Sequence, residues 1–310
     1  MEINEIQISW VIASRNRYER LKWNLEYLLE HIKKDEEIVV VDGESDDETE
    51  SYLTQLKNEG KIQTYIRGKD KNQAHAWNKG FLAAKGKYIK KLIDDDILDI
   101  ISIRKCISKM NENPEADICI SEDMSMDVYN PDSIMRHSRY DAYTKWKNGE
   151  VPSFTFGDVH MIIRRSSLAL IGLYDTSFIM MDYEYSLRIS YLGSGILFYS
   201  GCNALSIMSN ETITANASRK QLMKEGSRAN AMYEYAGDSA NISQWSKIKI
   251  FIGKKRDKIL KKTQSIHQEK LAVVSHSEIH TLYNKALARL IQENNLHKGE
   301  FYFHKPTKSN

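Results

Sequence analysis

The chain has 310 residues, of which 41% are hydrophobic and 28% charged, and its formal net charge is +2. This composition is typical of a globular protein with one large domain or two smaller ones, and the small net charge argues against binding of the whole chain to a polyanion. Three widely spaced cysteines form neither a disulfide framework nor a metal motif, so we expect reduced thiols and a cytoplasmic setting. We expect no signal peptide, and no apolar run approaches the roughly 20 residues that span a bilayer.

The first hundred residues alternate between short apolar segments and amphipathic ones. Short runs of β-branched and aromatic residues predict strands, and apolar residues at helical spacing predict the helices between them. The predicted strands are 6–13, 37–41, 62–66 and 87–93, and the predicted helices are 21–32, 48–57 and 73–84. This alternation is typical of a doubly wound α/β sheet, in which ligands bind beyond the carboxyl ends of the strands.

Polar clusters follow three of these predicted strands. They are 14–17, the turn that begins at Asp42, and the triplet Asp94, Asp95 and Asp96. In an extended chain Asp94 and Asp96 point to the same side, where their charges repel unless a cation lies between them. Mg²⁺ or Mn²⁺ is held by one or two carboxylates and completes its shell with water and phosphate oxygens. The triplet alone fits a solvated acidic loop equally well, and the other two clusters favour one polar ligand along this edge.

Four segments of this region, in order, resemble the nucleotide-sugar half of inverting glycosyltransferase family 2. They are 8–17, 37–46, 70–80 and 87–98. The resemblance implies the GT-A fold, a Rossmann-like, doubly wound mixed α/β sheet. It also implies a nucleotide-diphosphate sugar as donor, most simply a UDP-sugar. The positions that would border this donor are Ala13, Ser14, Arg15, Asp42, Asp70, Asn78, Lys79, Asp94 and Asp95.

The resemblance also implies a divalent cofactor, Mn²⁺ or Mg²⁺, held by Asp96 and Asp94. Family members commonly carry Asp or Asn where Ile93 stands, which makes Asp96 the stronger of the two metal candidates. Some relatives supply a further His ligand downstream, and the corresponding stretch 205–210 has none.

Three later segments, 157–166, 171–175 and 181–188, resemble the second half of the same family. The resemblance assigns Asp182 as the general base that deprotonates the acceptor hydroxyl, and the apolar residues before it would raise its pKa. Asp182 also fits a helix-capping residue, and Glu184 on the same turn is the alternative base. His160 stands where relatives carry a His near the acceptor, although a lone His is more often structural.

The rest of the chain is less regular in sequence. Residues 122–152 are polar and weakly periodic, so we expect an irregular segment that adapts to the acceptor. We predict a catalytic domain over 1–212, with a nucleotide-sugar half at about 1–98 and an acceptor half at about 99–212. A helical C-terminal extension over 213–310 would follow, with helices at 219–235 and 271–293 and a frayed end at 297–310.

The segment 246–263 contains eight Lys or Arg residues and a single Asp, interleaved with apolar residues. Such a stretch can lie peripherally on an anionic membrane surface, which would suit a lipid-linked acceptor. A packed helix with a solvated basic face explains it equally simply. Nucleic acid is disfavoured as a partner because aromatic residues are scarce in the segment.

The sequence therefore predicts a metal-dependent, inverting glycosyltransferase that acts on a glycan or lipid-linked acceptor of a surface polysaccharide or glycolipid. The alternative class is a non-catalytic nucleotide-sugar or glycan-binding module on the same fold. Ile93 and the missing downstream His keep this alternative open. An oxidoreductase is disfavoured because no Gly-x-Gly-x-x-Gly motif follows the first strand.

Overall fold

The computed structural model describes residues 5–128, 130–208, 217–237 and 276–307. The strands are β1 (Ile8–Ser14), β2 (Glu36–Asp42), β3 (Thr64–Arg67), β4 (Tyr88–Leu92), β5 (Asp96–Leu98), β6 (Ile118–Ser121), β7 (Asp123–Asp127), β8 (Asn130–His137), β9 (Ile162–Arg164), β10 (Ile196–Tyr199), β11 (Ala204–Met208) and β12 (Phe301–His304). The helices are α1 (Tyr18–His31), α2 (Thr49–Asn58), α3 (Gln73–Ala83), α4 (Ile100–Glu112), α5 (Tyr140–Lys147), α6 (Leu168–Ile171), α7 (Met181–Tyr191), α8 (Arg219–Met232) and α9 (His276–Leu296).

The main sheet has eight strands in the spatial order β12-β10-β6-β9-β4-β1-β2-β3. Strands β4, β1, β2 and β3 run parallel, and β9 lies antiparallel between β4 and β6. All seven residues of β2 are buried, as expected for a strand covered on both faces. The mixed α/β architecture predicted from the sequence is therefore confirmed, as are the strand and helix positions of the first 92 residues.

A second sheet, in the order β5-β11-β7-β8, begins where β4 of the main sheet ends. Three residues, 93–95, connect Leu92 at the end of β4 to Asp96 at the start of β5. Asp96 pairs with Ser206 across the antiparallel β5–β11 ladder. The Asp triplet therefore lies at the junction of the two sheets, where the chain leaves one and enters the other.

The prediction of an irregular segment at 122–152 is wrong. Strands β7 and β8 form an antiparallel hairpin in this segment, and α5 follows them. Most of β8 is exposed, so its sequence has no alternation of apolar and polar residues. The strand is instead stabilised by its backbone pairing with β7.

The frayed end predicted for 297–310 is also wrong in its first half. Phe301–His304 forms β12, which pairs antiparallel with β10 at the edge of the main sheet. The Phe301 ring stacks on Tyr199, with 4.7 Å between ring centroids. Before this strand, α9 packs against α1, where the Trp23 and Tyr283 rings meet edge to face.

The predicted helices 219–235 and 271–293 correspond to α8 and α9. The basic segment 246–263 lies outside the described residues. Among the residues that are described, no helix is both long and apolar enough to cross a bilayer. The division of the chain at residue 212 stays a prediction.

Candidate active site

A cleft of about 850 Å³ opens at the carboxyl ends of β1, β2 and β4, where the main sheet meets the small one. Its volume lies in the range of about 300–1,000 Å³ that is usual for small-molecule sites. The three polar strand ends predicted from the sequence lie at this edge. The cleft is lined along its length by Ala13, Ser14, Arg15, Arg17, Gly43, Asp70–Gln73, Ala76, Ile93–Asp96, Asp123–Ser125, Met135, His137, Arg139, Gly157–His160, Asp182 and Ser206–Met208.

One end of the cleft is formed by the ends of β1 and β2. Arg15 is exposed there and Gly43 faces it. A Cβ atom on Gly43 would lie 3.3 Å from both Arg15 Cδ and Asp70 Oδ2. A side chain at position 43 would therefore crowd the cleft, and glycine keeps this end open to a ligand.

Asp42 is fully buried behind this end and does not line the cleft. Its Oδ1 accepts hydrogen bonds from the backbone and hydroxyl of Ser45, at 3.0 and 2.5 Å. Its Oδ2 lies 3.3 Å from Tyr65 Oη and 3.4 Å from Arg67 Nε. In this structure Asp42 holds the loop after β2, and any contact with a donor requires these bonds to rearrange.

Of the three candidates at 70–79, only Asp70 lines the cleft. Lys79 Nζ lies behind Asp70, 2.8 Å from its Oδ1, and also donates to the Gly68 carbonyl. The amide of Asn78 donates to the carbonyl of Tyr174 and accepts from its N–H, both at 2.9 Å. Lys79 therefore orients Asp70, and Asn78 joins α3 to the segment that precedes α7.

The Asp triplet forms the middle of the cleft, and its three members differ in their shortest polar contacts. Ser14 Oγ donates to Asp94 Oδ2 at 2.7 Å. Asp95 faces Arg17, whose Nη1 lies 3.0 Å from Asp95 Oδ2. Asp96 is buried and accepts a hydrogen bond from Ser206.

Burial raises the pKa of Asp94 to about 6, and the neighbouring Asp95 charge adds to the shift. Burial and the same charge raise the pKa of Asp96 well above its usual range. Carboxyl groups whose ionised forms are unfavourable for these reasons are stabilised in the charged form by a nearby cation.

The carboxylate oxygens of the Asp triplet are suitable ligands for a hard divalent ion that has few protein ligands. Among the described residues, no three His, Cys, Asp or Glu groups converge as a preformed set. An ion would therefore be held by one or two carboxylates, with water and phosphate oxygens completing its shell. Asp96 and Asp94 fit this role better than Asp95, because Arg17 Nη1 lies 3.0 Å from Asp95 Oδ2 and farther, at 3.7 Å, from Asp94 Oδ1. Ile93, directly before the triplet, has no ligand atom in its side chain and packs against the core.

Asp182 lies in the first turn of α7 and is exposed to the cleft. Although accessible, it is surrounded by protein, and this desolvation is the largest cause of its raised pKa. The Asp158 charge raises the pKa further, while Lys91 and the backbone N–H groups of the first helical turn lower it. A carboxylate with a raised pKa is suited to accept a proton.

Glu184, the alternative base, does not reach the cleft. It is 1% exposed, and its two oxygens accept hydrogen bonds from Arg188 Nε and Nη2, both at 2.9 Å. Tyr233 Oη donates to the same carboxylate at 2.5 Å. The acids two residues apart on α7 therefore lie in different surroundings, with Asp182 at the cleft and Glu184 in a buried ion pair.

The sequence did not reveal the ion pair between Lys91 and Asp158, which forms part of the cleft wall beside Asp182. Lys91 Nζ contacts Asp158 Oδ2, and Tyr174 Oη donates to the same oxygen at 2.8 Å. Both charged residues are buried. Two adjacent lysines inside a predicted strand, Lys90 and Lys91, were the available signal, but the partner of Lys91 lies 67 positions away in the sequence.

The other end of the cleft lies against the small sheet and contains His160. The ring is buried, which lowers the pKa of His160 to about 4, and its Nε2 lies 3.8 Å from Asp123 Oδ1. Arg139 pairs with Asp123 at 2.5 Å. Three methionines also line this end, giving it an apolar wall (Met124, Met135, Met208).

Comparisons with solved structures find the same architecture. The crystal structure of S. aureus TarS matches at 15% identity and a TM-score of 0.51, over 77% of this chain and 44% of that one. TarS 1–349 in complex with UDP-GlcNAc matches at 14% identity and a TM-score of 0.55, over 93% and 81%. The mannosyltransferase PcManGT from Pyrobaculum calidifontis, in complex with GDP-Man and Mn²⁺, matches at 13% identity and a TM-score of 0.50. The match covers 94% of this chain and 87% of that one.

The chain therefore has the GT-A fold that these solved structures share. The family model for glycosyl transferase family 2 matches residues 9–172, which is more than half of the chain. The chain belongs to glycosyl transferase family 2. Comparison with curated protein sequences finds no match.

Proposed function

We propose that the protein is a metal-dependent, inverting glycosyltransferase in which Asp182 is the general base. The observation that carries the proposal is that Asp182 faces the same cleft as the Asp triplet 94–96, although the two come from different elements. An inverting transfer needs these two functions together: a group that accepts the acceptor proton, and charge neutralisation at the departing diphosphate.

The donor would lie along the strand ends, with its nucleoside near Arg15 and Gly43 and its diphosphate near the Asp triplet. Two structural neighbours bind UDP-GlcNAc and GDP-Man, which supports a nucleotide-diphosphate sugar as the ligand class. A UDP-sugar is our first choice.

Mn²⁺ or Mg²⁺, held by Asp96 and Asp94, would act as a Lewis acid toward the leaving diphosphate. The Mn²⁺ bound in PcManGT supports a metal on this fold. The protein's own residues have separate tasks, since Ser14 holds Asp94 in place and Arg17 engages Asp95.

The acceptor hydroxyl would approach Asp182 from the end of the cleft that contains His160 and the methionine wall. The mixture of buried polar groups and apolar side chains there suits a glycan or a lipid-linked sugar. We propose an acceptor in a surface polysaccharide or glycolipid, used at the inner face of the membrane. Peripheral membrane contact through 246–263 stays part of this proposal.

The proposal is tested by incubating the protein with a panel of nucleotide sugars, with Mn²⁺, with Mg²⁺ and with chelator, and measuring released nucleotide diphosphate. We expect slow, metal-dependent hydrolysis of one donor without acceptor. Asp182→Asn should retain donor affinity and lose transfer by about 10²–10⁴-fold, the usual contribution of a general base.

Glu184→Gln is the informative comparison because it lies two residues away and outside the cleft. Its effect should be on stability, through the loss of its ion pair with Arg188. If no nucleotide sugar is hydrolysed with either metal, a glycan-binding module on the same fold replaces the enzyme. Full transfer activity in Asp182→Asn would move the role of base to another carboxylate.

A further inference from the structure

We propose that Asp158 binds a hydroxyl group of the transferred sugar, and that Lys91 and Tyr174 are the residues that position it. The inference rests on the proposed function, because it assigns a role within the same cleft.

The hydrogen bonds of Asp158 leave one of its oxygens for a ligand. Lys91 Nζ and Tyr174 Oη both donate to Oδ2. Within the described part of the chain, no donor reaches Oδ1, and Asp158 lines the cleft. A carboxylate fixed through one oxygen can accept an O–H group through the other with little loss of side-chain freedom.

The charge of the pair determines which ligand group it selects. Lys91 and Asp158 cancel each other, so the pair offers no net positive charge to a phosphate. The neighbouring carboxylates of Asp96 and Asp182 make this part of the cleft still less suitable for an anion. A neutral hydroxyl donor fits both features.

The position of Asp158 points to the transferred sugar instead of the nucleotide. Lys91 lies on β4, five residues before Asp96, and Tyr174 packs on Tyr185 of α7 with ring centroids 4.4 Å apart. Of the two residues that hold Asp158, Lys91 therefore lies on the strand that leads into the Asp triplet, and Tyr174 packs on the helix that carries the general base. The sugar undergoing transfer must lie between those two groups.

The surroundings of Lys91 indicate that this ion pair is not explained by stability alone. Lys91 Nζ lies 4.5 Å from the centre of the Trp77 ring and 5.3 Å from that of Tyr174, so its charge is enclosed by aromatic faces. Burying an ion pair removes two charges from water, and a well-packed apolar pair is often as stable. Stability alone therefore does not require a charged pair here, and we assign the pair a role as a ligand contact.

The test compares the affinity of the nucleotide diphosphate with that of the nucleotide sugar by calorimetry, with Mn²⁺ present. UDP and UDP-GlcNAc, and GDP and GDP-Man, are the matched probes. In Asp158→Asn, the Kd of the sugar-bearing ligand should rise about tenfold to a hundredfold, as expected on losing a hydrogen bond to a charged group. The Kd of the nucleotide diphosphate should stay within about twofold, because that ligand lacks the contacted hydroxyl.

Tyr174→Phe provides a gentler variant that keeps the ion pair and the ring packing. It should raise the Kd of the nucleotide sugar by about two- to fivefold and leave the Kd of the nucleotide diphosphate unchanged. Asp132→Asn is the matched control, since Asp132 is 75% exposed and pairs with Lys285 on the protein surface. This control should change neither affinity.

Two results would overturn the inference while leaving the proposed function intact. One is an unchanged affinity for the nucleotide sugar in a folded Asp158→Asn protein and in Tyr174→Phe. The other is an equal loss of affinity for the nucleotide diphosphate and for the nucleotide sugar. That result would mean that Lys91 and Asp158 only support the cleft wall. A wild-type protein that binds none of the four probes overturns the proposed function and this inference with it.

Discussion

Three of the acids that line the cleft, Asp96, Asp158 and Asp182, differ in what compensates their charge. Asp158 has a lysine partner, while Asp96 accepts a hydrogen bond from a serine. Among the described residues, the backbone N–H groups of its own helical turn and Lys91 stabilise the charge of Asp182. Asp182 is the one of the three that is exposed, and it is the one proposed to accept a proton.

This arrangement predicts opposite pH shifts for two variants. A general base must be deprotonated, so kcat/KM falls as pH decreases through its pKa. Because Lys91 lowers the pKa of Asp182, Lys91→Met should move the acidic limb of the profile to higher pH. Because Asp158 raises the pKa of Asp182, Asp158→Asn should move the acidic limb of the profile to lower pH. The measurement is the pH dependence of transfer for each variant, normalised to its own maximum.

Shifts in the same direction, or no shift in either variant, would show that the titrating group is not Asp182. Asp132→Asn again serves as the control, and its profile should overlay that of the wild type.

Helix α9 carries none of the candidate site residues, but it contacts the site directly. Tyr283 Oη donates to the backbone carbonyl of Asp94 at 3.0 Å, and Asn24 Nδ2 of α1 donates to the same carbonyl at 3.0 Å. Two helices from opposite ends of the chain therefore fix the backbone of the link between β4 and β5.

Tyr283→Phe should weaken this link with little change in packing. Removing one of two donors from a buried carbonyl should lower the free energy of unfolding by about 1 kcal/mol, measured by urea denaturation. It should also raise the Kd of the donor in the presence of metal, because the Asp94 carboxylate depends on the same backbone. Tyr52→Phe is a matched control on α2, away from this link. Wild-type donor affinity in a destabilised Tyr283→Phe protein would mean that α9 supports the fold without affecting the site.

The elements that the sequence predicted well are those with a buried face. The seven buried residues of β2 and the apolar spacing of α1 are local signals, readable without knowing any partner. Strand β8 lacks such a signal because it is mostly exposed, and β12 is a four-residue strand stabilised by pairing with β10.

The same distinction explains which site residues could be predicted. The Asp triplet and Asp182 occur in contiguous motifs, so their residue types and spacing are visible in the sequence. The roles of Asp158 and Lys91 depend on a contact between positions 67 apart, and the separation of Asp182 from Glu184 depends on which side of one helical turn meets Arg188. Only the folded arrangement supplies these contacts.

At the scale of the whole molecule, the cleft lies between the main sheet and the small one. A ligand that contacts both sheets should therefore stabilise the folded chain against unfolding. A ligand present at 100 times its Kd adds about 2.7 kcal/mol to the free energy of unfolding, a shift of a few degrees in Tm for a protein of this size. We expect this shift with nucleotide diphosphate and Mn²⁺ together, measured by differential scanning calorimetry, and its loss on adding chelator.

Asp96→Ala should remove the metal-dependent part of this shift while the ligand-free protein still unfolds cooperatively. The exposed Asp132→Asn variant should retain the full shift. If Mn²⁺ increases the ligand-induced shift in Tm of Asp96→Ala as much as that of the wild type, Asp96 is excluded from the metal site.

The position of β12 has a consequence for synthesis on the ribosome. Strand β10 pairs with β6 on one side and with β12 on the other, and β12 is the last strand that the structure describes. While the chain emerges, the backbone groups of β10 on that side have no partner until residues 301–304 have left the exit tunnel. An unpaired strand edge is prone to pair with another chain. A nascent chain stalled before residue 301 should therefore depend on chaperones more than the finished protein does.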